Sequence, residues 1–573
     1  MQRLGKITAA TSIIAIILLV CVEGYAVLGS FWRQAAFGVT ALAILISSTF
    51  HVDLARRSLQ PLIQLKRLLP DTVLLLGVAS SWIAGASGIF AVLAFIHQLL
   101  SLIRWATLTN RGKRLAQHLL ARPAQMLTTS FVILIALGTV FLTFPRATTD
   151  GNGASVVDAA FTATSAACVT GLSVLNTNDD PSHNPRLQSF SRFGQLVIFL
   201  LIQIGGLGIM TLSAAILLVL GRQLGFRSQA VLQDIMEESS RLDLENSIRF
   251  IFKTTLIVEL LGALVLYQRF LPVLGDEWTA MSYALFTSVS AYCNAGFSLW
   301  SDSLMGFRED GWVMSTIMVL ISLGGLGFTV LAAVTDKSVA KHGMANAWRR
   351  WPVHVRIVLT MSLWLVVIGT ILFYYLDFHY SLNAGMSRTD RWLAALFQSV
   401  TMRTAGFSTV DLGQISRITM VCMLLLMMVG GSSGSTAGGI KTSTVAVVFL
   451  SVRAMIAGRE DVEVYGRTVP KAIVYKSLSI LVVFLGAYFL GLITLMAAEP
   501  ALPFDALVFE TMSALATVGL SMGVTPDLGS AGKLVVIVLM FIGRVGPLTL
   551  ALAVGAKERR VAMRYPEDRV LVG

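Results

Sequence analysis

Long stretches of this chain carry almost no charge, and nothing else constrains its fold as much. Ile7 to Val22, Gln195 to Leu220, Val313 to Val334, Ile357 to Leu376, Ile473 to Met496 and Leu534 to Val554 approach or exceed the ~20 residues that carry a helix across a bilayer. Hydrocarbon offers the backbone no hydrogen bonds, so only helices or a closed barrel can cross it. A barrel needs short alternating segments, and these runs are too long and too uniformly apolar. The composition agrees. Of 573 residues, 55% are hydrophobic and 13% charged, too little polar surface for a soluble protein of this length. The expected class is an all-α polytopic membrane protein.

The formal net charge of +12 raises the question of nucleic acid. Its distribution answers in favour of a membrane. Basic residues gather in short loops between runs: Lys337, Lys341, Arg349 and Arg350; Arg453, Arg459, Arg467 and Lys471; Lys557, Arg559, Arg560 and Arg564. The segments between Phe270 and Trp278 and between Ala498 and Gly532 carry none. This is the positive-inside pattern, and it puts the basic loops in the cytoplasm. The first apolar run follows a basic start without an obvious small-residue cleavage site, so it reads as an anchor. Cys21, Cys168, Cys293 and Cys422 show no metal or disulfide spacing and read as small buried apolar residues.

Four short segments resemble one another: "FTATSAACVTGLSV" from Phe161, "FTSVSAYCNAGFSL" from Phe286, "FQSVTMRTAGFSTV" from Phe397 and "FETMSALATVGLSM" from Phe509. Each runs from Phe through small residues to a glycine, then Leu or Phe, then Ser. The glycines, Gly171, Gly296, Gly406 and Gly519, are 125, 110 and 113 residues apart. Each copy lies between two apolar runs, so the unit is span, short pore helix, span. An even number of crossings makes the units parallel, unlike the inverted repeats common in secondary transporters. Four parallel copies can surround one central pseudo-fourfold pore. The spans fall near 131–144 and 195–220, 248–270 and 313–334, 357–376 and 417–450, and 473–497 and 533–555. The divisions are pore repeat 1 at 126–222, repeat 2 at 223–340, repeat 3 at 341–458 and repeat 4 with a cytoplasmic tail at 459–573. Residues 1–125 form an N-terminal membrane region of extra helices, with runs near 7–28, 35–50 and 72–103.

A cation entering lipid must exchange its water for other oxygens, and a ring of backbone carbonyls can supply them. Extended backbone at bilayer depth survives only where it lines water or is packed in protein. Glycine permits the positive φ that turns a carbonyl inward, and the preceding helix aims its negative end at the ion. A lone glycine would as readily serve close helix packing; four in matching positions favour a filter. "TVG" at Thr517 to Gly519 also resembles the filter of tetrameric potassium channels.

These segments, with "GGSSGSTAGGIKT" and "FIGRVGPLTL" (Phe541 to Leu550), resemble the Trk/Ktr/HKT superfamily of potassium transporters over roughly residues 125–560. The last motif is most similar to that of the Ktr-type membrane subunit. The resemblance implies a potassium-binding filter of Val169, Thr170 and Gly171; Asn294, Ala295 and Gly296; Thr404, Ala405 and Gly406; and Thr517, Val518 and Gly519. In plant relatives a serine at the first glycine goes with sodium transport; Gly171 therefore favours potassium. The resemblance also implies potassium uptake as the pore-forming subunit of such a system in a bacterial inner membrane. It further implies a homodimer with one pore per chain, and a cytoplasmic nucleotide-binding regulatory ring of the KtrA/TrkA kind docked on the basic loops. The chain itself is expected to bind no cofactor, with K+ at the filter as transported ion. The alternatives are a sodium-selective or poorly selective conductor and a non-conducting membrane sensor.

Residues 430–439 interrupt an apolar run with five glycines and three serines, poor helix formers whose bare backbone is costly in hydrocarbon. They belong in the interior, below the filter. The resemblance implies an intramembrane gating loop: Gly430, Gly431, Gly434, Gly438 and Gly439 lend mobility, and Ser432, Ser433, Ser435 and Thr436 hydrogen-bond in the closed form. "GSTAGGIKT" misses a phosphate-binding loop by one residue, Ile440, and lacks the strand–helix context. Arg544 sits within an apolar run, where a charge must be paired or face water. It reads as a cationic barrier against the loop, or as half of a salt bridge. Pro547 and Gly546 are expected to bend the helix beside it. Arg403 is expected to brace the filter from behind. Glu259 would partner a basic group or line a cavity, and Asp158, Asp505 and Glu510 would concentrate cations or form solvated loop ends. No catalytic motif is present, so the chain does not read as an enzyme.

Overall fold

The computed structural model describes residues 2–19, 39–49, four residues between 94 and 101, 123–178, 188–208, 241–336, 344–376, 387–546 and 549. The runs predicted near 72–103 and beyond 547, Pro547 included, and much of the basic loops lie outside these.

Helices dominate. Outside the repeats come α1 (Gln2–Leu19) and α2 (Val39–Thr49). Then a pattern recurs four times: long helix, short helix ending at a glycine segment, second helix. The first repeat has α3 (Pro123–Leu142), α4 (Val156–Ala167) and α5 (Arg192–Leu207). The second has α6 (Arg241–Leu274), α7 (Glu277–Tyr292), α8 (Gly311–Leu326) and α9 (Phe328–Val334). After α10 (Met344–Arg350), the third has α11 (Val353–Leu376), α12 (Arg388–Thr401), α13 (Arg417–Met428) and α14 (Thr442–Ile456). The fourth has α15 (Lys471–Ala498), α16 (Phe504–Ala516) and α17 (Ser530–Val545).

Helix starts follow from the sequence. Ser155 and Ser387 accept from the amides of Asp158 and Asp390 three residues on, and Asp276 and Asp310 cap α7 and α8 in the same way. Phe161, Phe397 and Phe509, at matching places in their short helices, are fully buried, and Phe286 is 4% exposed. In lipid such packing, not exclusion from water, holds helices together.

The second spans differ from the expectation. The run 313–334 is not one helix: α8 and α9 meet at 104°. The hinge is Gly327, at φ +84. α5 ends the same way at Gly208, φ +81; α17 ends at Gly546, φ +90, where a bend was expected. The run 417–450 is broken by the non-helical stretch between α13 and α14. The cause is packing. A side chain on Gly205, Gly324 or Gly543 would collide with the carbonyl of Ala167, Tyr292 or Leu515, at the end of the short helix in its own repeat. These three second spans therefore lie against the short helix of their own repeat, and each helix ends two residues after that contact.

The repeats close into a circle. α5 packs on α7, α8 on α12, α13 on α16, and α17 on α4, so each second span meets the next repeat's short helix and the fourth returns to the first. Polar ties follow the same route. The Leu304 amide donates to Ser408 O at 3.0 Å, and Arg417 pairs with Asp505 at 3.0 Å. Lys533 pairs with Asp158 at 2.6 Å, with side chains 16% and 19% exposed. A two-stranded hairpin, Val462–Val464 with Arg467–Val469, joins α14 to α15 through a turn with Tyr465 and Gly466 at φ +50 and +75. The Tyr465 ring lies 4.8 Å from the Arg356 guanidinium, and its hydroxyl 2.8 Å from Thr360 Oγ1.

The Lys533–Asp158 pair is the ion pair between last and first repeats among the described residues. Lys533→Met leaves Asp158 half-desolvated and unpaired, and should cost about 1–3 kcal/mol. Thermal unfolding in detergent should show a melting point several degrees lower; an unchanged melting point would mean that helix packing alone closes the circle.

Candidate filter and intramembrane loop

The four glycine segments converge. A methyl built on Gly171 would stand 2.5 Å from Ala295 O, one on Gly296 2.7 Å from Ala405 O, and one on Gly406 2.5 Å from Val518 O. One on Gly519 would collide with Thr170 O. Each glycine thus faces the middle carbonyl of the next triplet, and the fourth faces the first. All twelve residues expected at the filter are brought into this ring.

Positive φ, expected at the glycines, extends to other residues of the triplets. Gly171, Gly296, Gly406 and Gly519 have φ of +97, +70, +81 and +91. The first residue of each triplet is left-handed too: Val169 at +57, Asn294 at +58, Thr404 at +74 and Thr517 at +52. Left-handed residues on either side of an ordinary one turn successive carbonyls to one side, where a strand would alternate them. Such a conformation costs a non-glycine residue about 1–3 kcal/mol and persists only if its surroundings enforce it.

Those surroundings are hydroxyls on the short helices. Ser165 and Ser513 Oγ accept from the amides of Gly171 and Gly519 at 3.1 and 3.0 Å. Ser290 Oγ donates to Phe297 O at 2.8 Å, and Thr401 Oγ1 to Phe407 O at 2.7 Å. These braces were not singled out in the sequence, although a hydroxyl five or six residues before every glycine was a readable signal. Arg403 also stands behind the ring, its Nη2 donating to Ser362 Oγ on α11 at 3.1 Å, as expected.

Above the ring opens a cavity of about 330 Å³, lined by the four glycines and by Ser173, Ser298, Ser408 and Ser521. The acidic residues expected at this mouth are engaged elsewhere. Asp158 and Asp505 hold Lys533 and Arg417. Glu510 is fully buried, its Oε1 accepting from Thr525 Oγ1 at 2.5 Å. Glu259 has no basic partner among the described residues; Gln203 Nε2 donates to it at 3.2 Å.

Below the ring lies the Gly-Ser stretch 430–439, without helix, as expected. Its ends are pinned together: the Gly430 amide donates to Ile440 O at 2.9 Å and the Ile440 amide to Met428 O at 3.2 Å. Its body is docked on the α8–α9 break. The Ser432 amide donates to Gly325 O at 3.0 Å, Ser432 Oγ to Leu326 O, and the Phe328 amide to Gly434 O at 3.2 Å. Ser435 Oγ closes a local turn on Ser432 O at 2.7 Å, and Ser433 Oγ lies 3.3 Å from Ser443 Oγ. A side chain on Gly438 would collide with Thr517 Oγ1, so the loop touches the inner end of the ring.

Arg544 is not half of an ion pair among the described residues. Nη1 donates to Thr436 O in the loop and Nη2 to Gly205 O at the break after α5. It occupies the second place of "GRVG" 543–546, where repeats 1 and 2 have "GGLG" at 205–208 and 324–327. A second cation, overlooked in the sequence, is Lys441, whose Nζ donates to Ala437 O at 2.6 Å. Two cations thus hold the loop's carbonyls beneath the ring.

Residues 91–559 match the family described as TrkH, cation transport protein. The chain is 40% identical over 452 residues to the Ktr system potassium uptake protein B of Vibrio alginolyticus, covering 78% of this chain and 93% of that protein. It is 38% identical to the protein of the same description from Bacillus subtilis, covering 79% and 97%. It is 33% identical to the potassium/sodium uptake protein NtpJ of Enterococcus hirae, covering 81% and 100%. The crystal structure of the potassium transporter TrkH from Vibrio parahaemolyticus superposes with a TM-score of 0.60 at 20% identity, covering 90% of this chain and 97% of that one.

The closeness of the ring sets a stringent expectation. Gly519→Ala should leave a folded, membrane-inserted protein with no measurable cation flux, because its Cβ falls on Thr170 O. Flux comparable to the unaltered chain would separate the ring from conduction.

Proposed function

The chain belongs to the TrkH family of cation transport proteins, and on that premise we propose that it is the pore-forming subunit of a potassium-uptake system. It is a multi-pass membrane protein, and we place it in a bacterial inner membrane. The observation that carries the reading is the closed ring of four triplets, left-handed at first and third residues. Such a ring presents carbonyl oxygens in place of a cation's water. Thr170 Oγ1, Thr404 Oγ1 and Thr517 Oγ1 are buried there without partners among the described residues, which also suits a site completed by a cation. The twelve triplet residues are the proposed binding filter, K+ is cargo, and transport rather than catalysis is the activity. The proposed division into repeats is 126–222, 223–340, 341–458 and 459–573.

The loop 430–439 with Arg544 is the proposed gate. Docked, it fills the path beneath the ring and sets a guanidinium there, which opposes a passing cation. Its dockings are single hydrogen bonds of about 1 kcal/mol net each, few enough for a partner to undo. We assign that partner to a cytoplasmic nucleotide-binding ring on the basic loops, with the chain acting as a homodimer.

A relative described for both potassium and sodium keeps a second reading open, a less selective cation conductor. Each triplet has one glycine, so selectivity weaker than a potassium channel's is expected. Reversal potentials of the purified chain in mixed potassium and sodium separate the readings. Expression should restore growth of potassium-uptake-deficient cells in low potassium, and Gly171→Asp or Gly406→Asp should abolish that rescue. Deleting 431–438, or Arg544→Ala, should raise flux severalfold; unchanged flux at normal expression would remove the gate assignment.

A further inference from the structure

Thr436 is 1% exposed and uses every polar group it has. Its amide donates to Gly324 O at 3.2 Å, and its carbonyl accepts from Arg544 Nη1. Its hydroxyl donates to Tyr292 O at 3.1 Å and accepts from Asn294 Nδ2 at 2.7 Å. The last bond differs in kind from the others. It joins the loop to the side chain of a filter residue, 142 positions away in the chain.

Asn294 opens the second triplet. The matching residues are Val169, Thr404 and Thr517, none with an amide that can both donate and accept. Asparagine also tolerates φ +58 better than most residues. Asn294 is 1% exposed, and its Oδ1 has no partner among the described residues. One side chain therefore has its nitrogen on the loop and its oxygen uncommitted at the inner end of the ring.

Resting on the potassium-pore reading above, we propose that Asn294 links loop position and cation occupancy at the inner end of the filter into one equilibrium. With the loop docked, the amide is pinned by Thr436 and cannot turn to lay its oxygen on an ion. With the loop withdrawn, it can. Docking and occupancy then oppose one another, and by linkage each weakens the other by the same factor. The loop thus acts on the filter's choice of ion as well as on its passage, and Asn294 is a specificity-determining residue.

The test uses the full chain in liposomes, with Thr436→Val, Asn294→Val and the double variant. Valine is isosteric with threonine and already stands at the matching place of repeat 1, so both changes suit the fold. Asn294→Val, which breaks one ordinary hydrogen bond, should raise potassium flux about fivefold; Thr436→Val, which also breaks the bond to Tyr292 O, should raise it further, and the double variant should add little to Thr436→Val. Thr436→Val should also shift the potassium-to-sodium permeability ratio, although it lies outside the filter. A second measurement is independent of flux: amide hydrogen exchange across 430–439 in the unaltered chain should be faster in potassium than in N-methylglucamine, and Asn294→Val should erase the difference. Higher flux with an unchanged permeability ratio, multiplying single effects, or exchange indifferent to potassium would each overturn the link and leave the loop a plain plug. Absence of potassium flux in the unaltered chain would instead overturn the functional reading beneath it.

Discussion

Each of the four triplet glycines rests against the middle carbonyl of the following triplet, and the fourth rests against the first. The rest of the structure serves this contact. Backbone that is neither helix nor sheet has no place in a bilayer unless protein surrounds it. Here the circle of second spans on neighbouring pore helices supplies the protein, and the hydroxyls of Ser165, Ser290, Thr401 and Ser513 hold the segments behind the ring. Left-handed Val169, Asn294, Thr404 and Thr517 are tolerable only within that enclosure.

The fourfold plan is broken where a conductor would need control. In repeats 1 and 2 the helix ends within "GGLG"; repeat 4 puts Arg544 in the second place, and repeat 3 has "GGSS" with a loop inserted before its helix resumes. The third departure is Asn294, in a position otherwise held by Val or Thr. These three departures touch one another: Arg544 and Asn294 both bind Thr436, one through the carbonyl and one through the hydroxyl. A symmetric scaffold creates the ring, and its asymmetric residues hold the loop beneath it.

Much of this was legible beforehand. Apolar runs set the class, the four recurring segments set the repeat, and Gly171, Gly296, Gly406 and Gly519 marked the ring. Ser155 with Asp158 and Ser387 with Asp390 are caps readable from spacing alone. The breaks at Gly208 and Gly327 were not foreseen. Hydropathy sums apolar character over a window and is blind to a carbonyl lying against Gly205 or Gly324. The roles of Asp158, Asp505 and Lys441 were hidden too, because their partners Lys533, Arg417 and the Ala437 carbonyl were decided by packing or by loop shape.

The sequence by itself determined that this chain enters the membrane as helices, that it does so in four like units, and that one stretch cannot be helical. These are local matters, governed by transfer of side chains out of water and by the conformations glycine allows. Only the tertiary structure decided which carbonyl faces which glycine, that Arg544 binds two main-chain oxygens and no carboxylate among the described residues, and that the loop docks on repeat 2 through Asn294. Those pairings join residues more than a hundred positions apart. Nothing in local composition encodes a distance across a pore, since that distance is set by how four repeats close around it.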